Sequence, residues 1–283
     1  MPVTCRRGQY ANLQYPSNDR FKSRCAQPCT LPTPTVIRAG CYRKLLSRLD
    51  DAFDVHAIER IGHDPRYPVS DNWPHLVDEM EQAIAAVGRP VIGVGHSLGG
   101  ALTVMVALRR PDLFRGLVIL DSPLMSPWRS RGLWAAKRLG RIEAITPAGV
   151  TLRRRDAFDS TDAMQAYFAA KRPFSRFDPD VLADYARLGS EPSDGGVRLA
   201  FRPEIEYRVY CTLPHVWSRL ARPLAMPAVY VVGQQTDVIK PADLRFIRRR
   251  LGMQVEPAPG SHLFPLEYPL ATADLVTRLA AGW

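Results

Sequence analysis

Apolar positions follow two rhythms that alternate along most of the chain. Residues 90–94, 117–120 and 228–232 are short apolar runs with almost no polar interruption, the pattern of strands buried on both faces of a sheet. Phe53–Ile58 alternates as a strand, and 253–256 reads as another short one. Between these runs the period changes to a helical one. Over 73–87, Leu76, Val77, Met80, Ile84 and Val87 share one face, with Asp71 or Asn72 as N-cap and Pro74 in the first turn. Residues 42–49, 97–110, 243–251 and 270–281 also read as helices. Strands alternating with helices predict an α/β fold, a mostly parallel sheet flanked by helices.

Two stretches break the rhythm. Over 122–222 the pattern predicts helices at 131–139, 161–171, 180–188 and 204–212. Asp159 or Ser160 caps the second, and turns fall at Asp178-Pro179 and across 191–196. About a hundred residues of this kind between two sheet strands predict an inserted helical cap. Residues 1–38 show neither period. The expected organisation is a core of 39–121 and 223–283, a helical cap at 122–222, and an atypical segment at 1–38.

Composition narrows the class. The chain has 283 residues, 46% hydrophobic and 23% charged, ordinary for a soluble globular protein and long enough to bury a core without disulfides. No apolar run approaches the roughly 18 residues of a membrane span, and the basic N-terminus lacks the apolar stretch of a signal peptide. A cytoplasmic, reducing location is the expectation. Cys25 and Cys29 have the spacing of half a zinc site, but no second Cys/His pair follows, so no metal is expected. The net charge of +10 divides unevenly. Residues 1–40 carry +5, residues 122–222 carry +6, and the rest carries −1. Nearly all of it is arginine and no basic helix or zinc finger accompanies it, so nucleic acid is not an expected partner.

The chemistry gathers around one serine. Gly95-His96-Ser97-Leu98-Gly99, followed by Gly100, fits G-x-S-x-G between an apolar strand and a helix. Glycines at 95 and 99 make room for a strained turn that exposes the serine hydroxyl. The backbone N–H of Leu98 then faces a developing oxyanion. A serine needs a base. Of six histidines, His262 lies in a loop before the last helix and is the candidate. His96 adjoins Ser97 too closely to serve as its base and is instead a possible pocket residue. His63 sits in a loop that borders the site or only packs there, and His56, His75 and His215 read as packing or surface residues. The base needs an acid. Asp237, just after the 228–232 strand, gives the order Ser97, Asp237, His262; Asp121, ending the 117–120 strand, is the alternative.

From Ala39 onward the chain resembles the α/β-hydrolase superfamily in its capped, serine-nucleophile branch. The likeness rests on residues 41–46, 59–64, 95–100 and 120–123, on Asp237, and on 260–265. It implies Ser97 as nucleophile, Asp237 as acid, His262 as base and no cofactor. It does not imply a substrate. One stretch departs from the family, whose members carry an apolar strand and a His-Gly or His-x-Asn-Gly loop that donates the second oxyanion N–H. Here residues 31–38 hold neither His nor Gly, and Pro32 and Pro34 argue against a central strand. The nominal second donor is Ile37. Codons suited to residues 31–38, read in a shifted frame, spell Ala-His-Ala-Asn-Gly-Tyr-Pro, so 1–38 is read as an out-of-frame or disordered segment with the first strands missing.

The leading expectation is a serine hydrolase cleaving a small carboxylic ester through an acyl-enzyme. Met125, Trp128 and Phe264 are set down either as pocket or as core residues. A C–C hydrolase, lyase or acyltransferase with the same triad is one alternative. A catalytically impaired fold acting as a binding module is another.

Overall fold

The computed structural model describes residues 38–283 in full and the backbone of Gln27–Pro32. Strands run at β1 (Gln27–Pro32), β2 (Phe53–Ile58), β3 (Val91–His96), β4 (Phe114–Leu120), β5 (Ala157–Phe158), β6 (Ser190–Ser193), β7 (Gly196–Leu199), β8 (Ala228–Gly233) and β9 (Gln254–Ala258). Six form one sheet in the order β2-β1-β3-β4-β8-β9, with every pair parallel. The unbroken apolar runs follow from this: all six residues of β3 are buried, because helices cover both faces.

The two faces separate cleanly by alternation. Val91, Leu117, Ile119 and Tyr230 point into one layer, with helices Pro74–Ala85 and Ser97–Arg109. Ile92, Val94, Val118, Leu120 and Val231 point into the other, with helices Arg43–Leu49 and Pro269–Ala280. Residues 98–108 of the helix after β3 are all buried, which explains their small, uniformly apolar character.

One expectation about the N-terminal region is corrected. β1 occupies a central place between β2 and β3, so one strand is present within 1–38, where the first strands were expected to be missing; of the stretch 31–38 it includes only Leu31 and Pro32. Its ladder with β3 covers only Cys29 and Thr30. Pro28 and Pro32 lie outside that ladder, within the longer one that pairs β1 with β2. The readings of residues 1–26 and 33–37, Ile37 and Cys25 among them, lie outside the described residues.

The chain between β4 and β8 contains the expected helices, now bounded at Pro127–Arg138, Thr161–Ala169, Pro179–Leu188 and Pro203–Cys211. Ser160 caps the second by accepting from the Ala163 N–H at 3.1 Å. The turn expected across 191–196 is a hairpin instead. β6 and β7 pair antiparallel around Asp194-Gly195, with Gly195 at φ +77°, and β5 adds a third strand. An Asp-Gly pair between short strands favours this two-residue connection. The part of this segment from β5 to β7 packs beside Arg43–Leu49: Phe158, Phe168 and Tyr185 share a core with Tyr42 and Leu45. Lys44–Asp178 at 2.8 Å and Arg43–Asp184 at 2.9 Å cross the seam.

Candidate active site

A parallel sheet whose order reverses leaves a crevice at the carboxyl ends of its strands. The chain leaves β1 for β2 on one side and returns to β3 on the other, so the reversal falls beside β3. Ser97 follows β3 directly, Asp121 follows β4, and His262 follows β9. Three residues far apart in sequence therefore meet at one sheet edge.

Ser97 has φ +52°, a left-handed conformation that costs a non-glycine residue about 1–3 kcal/mol and clusters at functional sites. Its neighbours permit the turn. A Cβ on Gly95 would lie 2.5 Å from Gly100 Cα, and one on Gly100 would lie 1.9 Å from Ser122 Oγ and 2.7 Å from the Gly95 carbonyl. The strand and helix thus approach to backbone contact. Leu98 lies in the first helical turn, where an N–H has no acceptor within the helix.

The Ser97 hydroxyl lies 3.1 Å from His262 Nε2, and His262 Nδ1 lies 2.7 Å from Asp121 Oδ2. A carboxylate only accepts, so Nδ1 carries the proton and Nε2 is left free to receive one from Ser97. Asp121 is fully buried, also in a left-handed conformation at φ +40°. It further accepts from the Gly233 N–H at 2.9 Å and the Thr236 hydroxyl at 2.6 Å. These bonds compensate the burial of its charge.

The expected acid, Asp237, is not on His262. The loop after β8 turns tightly, with Thr236 N–H bonded to the Gly233 carbonyl, and its polar groups support the acid from β4. Asp237 is exposed on the pocket wall. The alternative, Asp121, is the carboxylate bonded to His262, and its place at the end of the 117–120 strand was its signal in the sequence.

His262 is held from two further sides. His96, 1% exposed, lies 2.8 Å from the His262 carbonyl through Nε2 and 2.8 Å from the Tyr42 hydroxyl through Nδ1. A carbonyl accepts, so Nε2 donates and Nδ1 receives the Tyr42 proton. Burial, with His262 alongside, pushes the His96 pKa down to about 3, and the ring stays neutral. On the other side Glu267 accepts from the Ser261 N–H at 3.0 Å and the Ser261 hydroxyl at 2.5 Å, and from Arg176 at 3.2 Å. His96 therefore supports the loop and lines no pocket, contrary to expectation. Tyr42 and Glu267 went unnoticed in the sequence, since neither lies in the serine motif nor shows a period of its own.

Above Ser97 opens a pocket of about 680 Å³, within the usual range for small-molecule sites. Its wall is largely apolar and includes Trp73, Met125, Leu133, Ile145 and Val209. Met125, open to either reading in the sequence, lies on this wall. Trp128 is 78% exposed and does not, because the helix Pro127–Arg138 turns Arg129, Leu133 and Ala136 inward and Trp128 outward. Phe264 is also corrected: it is buried in the core beneath the His262 loop. Trp73 was read only as the start of a helix, but it is the N-cap itself, at φ +62°. The presumed cap Asn72 instead accepts from the His215 N–H. Trp73 donates its indole N–H to Thr212 at 3.1 Å, which ties the helix start to the far pocket wall. His63 packs on Phe201, with ring centroids 4.4 Å apart. Among the described residues no group of three His, Cys, Asp or Glu is arranged to hold a metal.

Comparison with known proteins agrees with this architecture. The chain is 27% identical over 249 residues to the 2-(acetamidomethylene)succinate hydrolase of Mesorhizobium japonicum, an alignment covering 85% of this chain and 83% of that one. It is 28% identical over 194 residues to the lipase LipV of Mycobacterium tuberculosis, covering 66% and 63%. Among solved structures, that of E-2-(acetamidomethylene)succinate hydrolase superposes with a TM-score of 0.69 at 23% identity, covering 90% of this chain and 91% of that one. A thioesterase domain from the curacin biosynthetic pathway superposes with a TM-score of 0.66 at 16% identity, covering 89% and 90%. The family model described as "Alpha/beta hydrolase family" matches residues 33–275, which include the serine turn, β4 and the His262 loop, and on that match the chain belongs to the α/β-hydrolase family.

Proposed function

We propose that the chain is a serine hydrolase of carboxylic esters, with Ser97 as nucleophile, His262 as base and Asp121 as acid. The observation that carries this reading is the unbroken hydrogen-bond line Ser97–His262–Asp121, at 3.1 and 2.7 Å, on the floor of an apolar pocket.

The Ser97 hydroxyl attacks the ester carbonyl while its proton passes to His262 Nε2. Asp121 stabilises the resulting imidazolium and fixes its orientation. The Leu98 N–H holds the oxyanion, and the helix behind it adds a favourable dipole. Collapse expels the alcohol, which takes the proton from His262. Water then attacks the acyl-enzyme with the same base, returning the acid product and free Ser97. The segment 122–222 contributes most of the pocket wall and acts as the cap.

Charge in the pocket favours an apolar acyl group over a small polyanion. Among the described lining residues Arg129 is the only cationic side chain, and it is paired with buried Asp243. A substrate with two carboxylates, such as the succinate derivative named for one relative, would find no free cation there.

Two measurements on the full chain test the reading. Ser97→Ala should abolish labelling by a fluorophosphonate probe and lower kcat for a p-nitrophenyl acyl ester by about 10⁶. Labelling that survives the substitution, or a loss of tenfold or less, overturns it.

A further inference from the structure

Six of the eight large hydrophobic side chains most exposed among the described residues fall within 25 consecutive positions: Trp128, Trp134, Leu139, Ile145, Val150 and Leu152. The helix Pro127–Arg138 organises the first part of this patch. At 100° per residue Trp128, Arg131, Trp134 and Arg138 form one stripe, while Arg129, Leu133 and Ala136 face the pocket on the opposite side. Trp128 is 78% exposed and Trp134 is 50% exposed. A monomer rarely leaves so large an apolar patch in water without use for it.

Its own stretch of chain is strongly basic, and Arg129, Lys137 and Arg154 are paired with acids from elsewhere in the fold. Between residues 127 and 155 there are eight Lys/Arg and a single acid, Glu143, whose carboxylate accepts from the Tyr207 hydroxyl at 2.6 Å. Arg131 stands over the Trp128 ring at 5.1 Å and Arg138 over the Trp134 ring at 5.9 Å. Arg131, Arg138 and Arg141 are exposed and make no ion pair with a described carboxylate. Tryptophan prefers the boundary between water and hydrocarbon, and an unpaired guanidinium beside it meets a phosphate there. Ile145 is both exposed and part of the pocket wall, so the patch runs on to the pocket mouth.

We propose that this outer face of the cap docks on an anionic lipid surface, with the two tryptophans at headgroup depth and Arg131, Arg138 and Arg141 on lipid phosphates. The pocket mouth then opens at the interface. Docking is independent of the hydrolytic reading, and the test below measures binding alone.

Full-length protein is sedimented with vesicles of phosphatidylcholine alone or mixed with phosphatidylglycerol, at low and high salt. Binding is expected only with the anionic vesicles and should weaken with salt. Reversing two charges with Arg131→Glu and Arg138→Glu should lower the partition coefficient by at least about 30-fold, at roughly one tenfold step per 1.4 kcal/mol and about 1 kcal/mol for each arginine lost. Trp128→Ser with Trp134→Ser should lower it even at low salt. Thermal unfolding should match that of the unaltered chain in both pairs, since all four side chains are exposed. The proposal is overturned if the unaltered chain stays in the supernatant with both vesicle types, or if both pairs sediment as it does. It is also overturned if the tryptophan face instead joins two copies, seen as a vesicle-free dimer in size-exclusion chromatography that the tryptophan substitutions dissociate.

Discussion

Replacing Asp121 by asparagine changes one oxygen for an amide and leaves the volume alone. Oδ1 still accepts from the Gly233 N–H, so the turn after β4 keeps that anchor. The amide nitrogen then faces His262 Nδ1 in place of Oδ2, 2.7 Å away in the native arrangement. Being a donor, it favours the tautomer with Nδ1 bare and the proton on Nε2. That proton sits where Ser97 must deliver its own. Loss of a charge-assisted hydrogen bond alone is worth about 1.5–3 kcal/mol, or roughly 10- to 150-fold in rate. The wrong tautomer raises the expected loss in kcat to about 10⁴, near 5.5 kcal/mol. Asp237→Asn alters an exposed wall residue with no bond to His262 and should change kcat by no more than a few-fold. Both variants are assayed with one p-nitrophenyl ester, with urea unfolding to show that each is folded. If Asp237→Asn loses a hundredfold or more while Asp121→Asn stays within tenfold, the assignment of the acid is wrong.

Two further outcomes follow from packing and burial. A Cβ on Gly100 meets Ser122 Oγ and the Gly95 carbonyl, neither of which is the free end of a flexible chain, so Gly100→Ala should cost more than about 2 kcal/mol in urea unfolding and weaken fluorophosphonate labelling. Native stability in that variant would remove the close-approach argument for the serine turn. Burial raises the pKa of Glu79 from 4.5 to about 7, against the hydrogen bond that it accepts from the Gly62 N–H. Between those two values the folded state binds the extra proton, so stability falls as pH rises from about 4.5 to 7, by up to about 3 kcal/mol. Glu79→Gln keeps the acceptor and should flatten this slope. An unchanged slope between pH 5 and 8 would falsify the attribution.

In the sequence the site is legible where its geometry is local. Gly95, Ser97 and Gly100 lie within six residues, and the strand before them and the helix after them are set by neighbouring side chains. His262 is singled out by its loop before the last helix, whereas His56 lies in a strand, His75 in a helix and His96 beside Ser97; His63, also in a loop, stays open in the sequence. The supports of His262 were not legible. Tyr42 and His96 are 54 residues apart, and their bond exists only because the helix 43–49 packs on the face of the sheet into which β3 turns Ile92 and Val94. Trp128 and Met125 are three residues apart and both apolar, yet one points into water and the other into the pocket. Met125 lies before the helix Pro127–Arg138 and Trp128 within it, where rotation turns Trp128 outward, and the sequence pattern of 127–138 carries apolar residues on both sides.

The sequence by itself determined the alternation of buried strands and helices and the strained serine turn, because each depends on residues within a few positions of one another, whereas the approach of His262 to Ser97 spans 165 residues. The choice of acid belonged to the tertiary structure. Asp121 and Asp237 end neighbouring strands, with Leu120 paired to Val231, so both arrive at the same edge of the sheet within reach of the same loop. What separates them is that Asp121 turns inward, where Gly233 and Thr236 supply donors to a buried carboxylate, while Asp237 turns out to solvent. A carboxylate is held ionised in the interior only where donors converge on it, and that convergence is a property of three strand ends brought together in space.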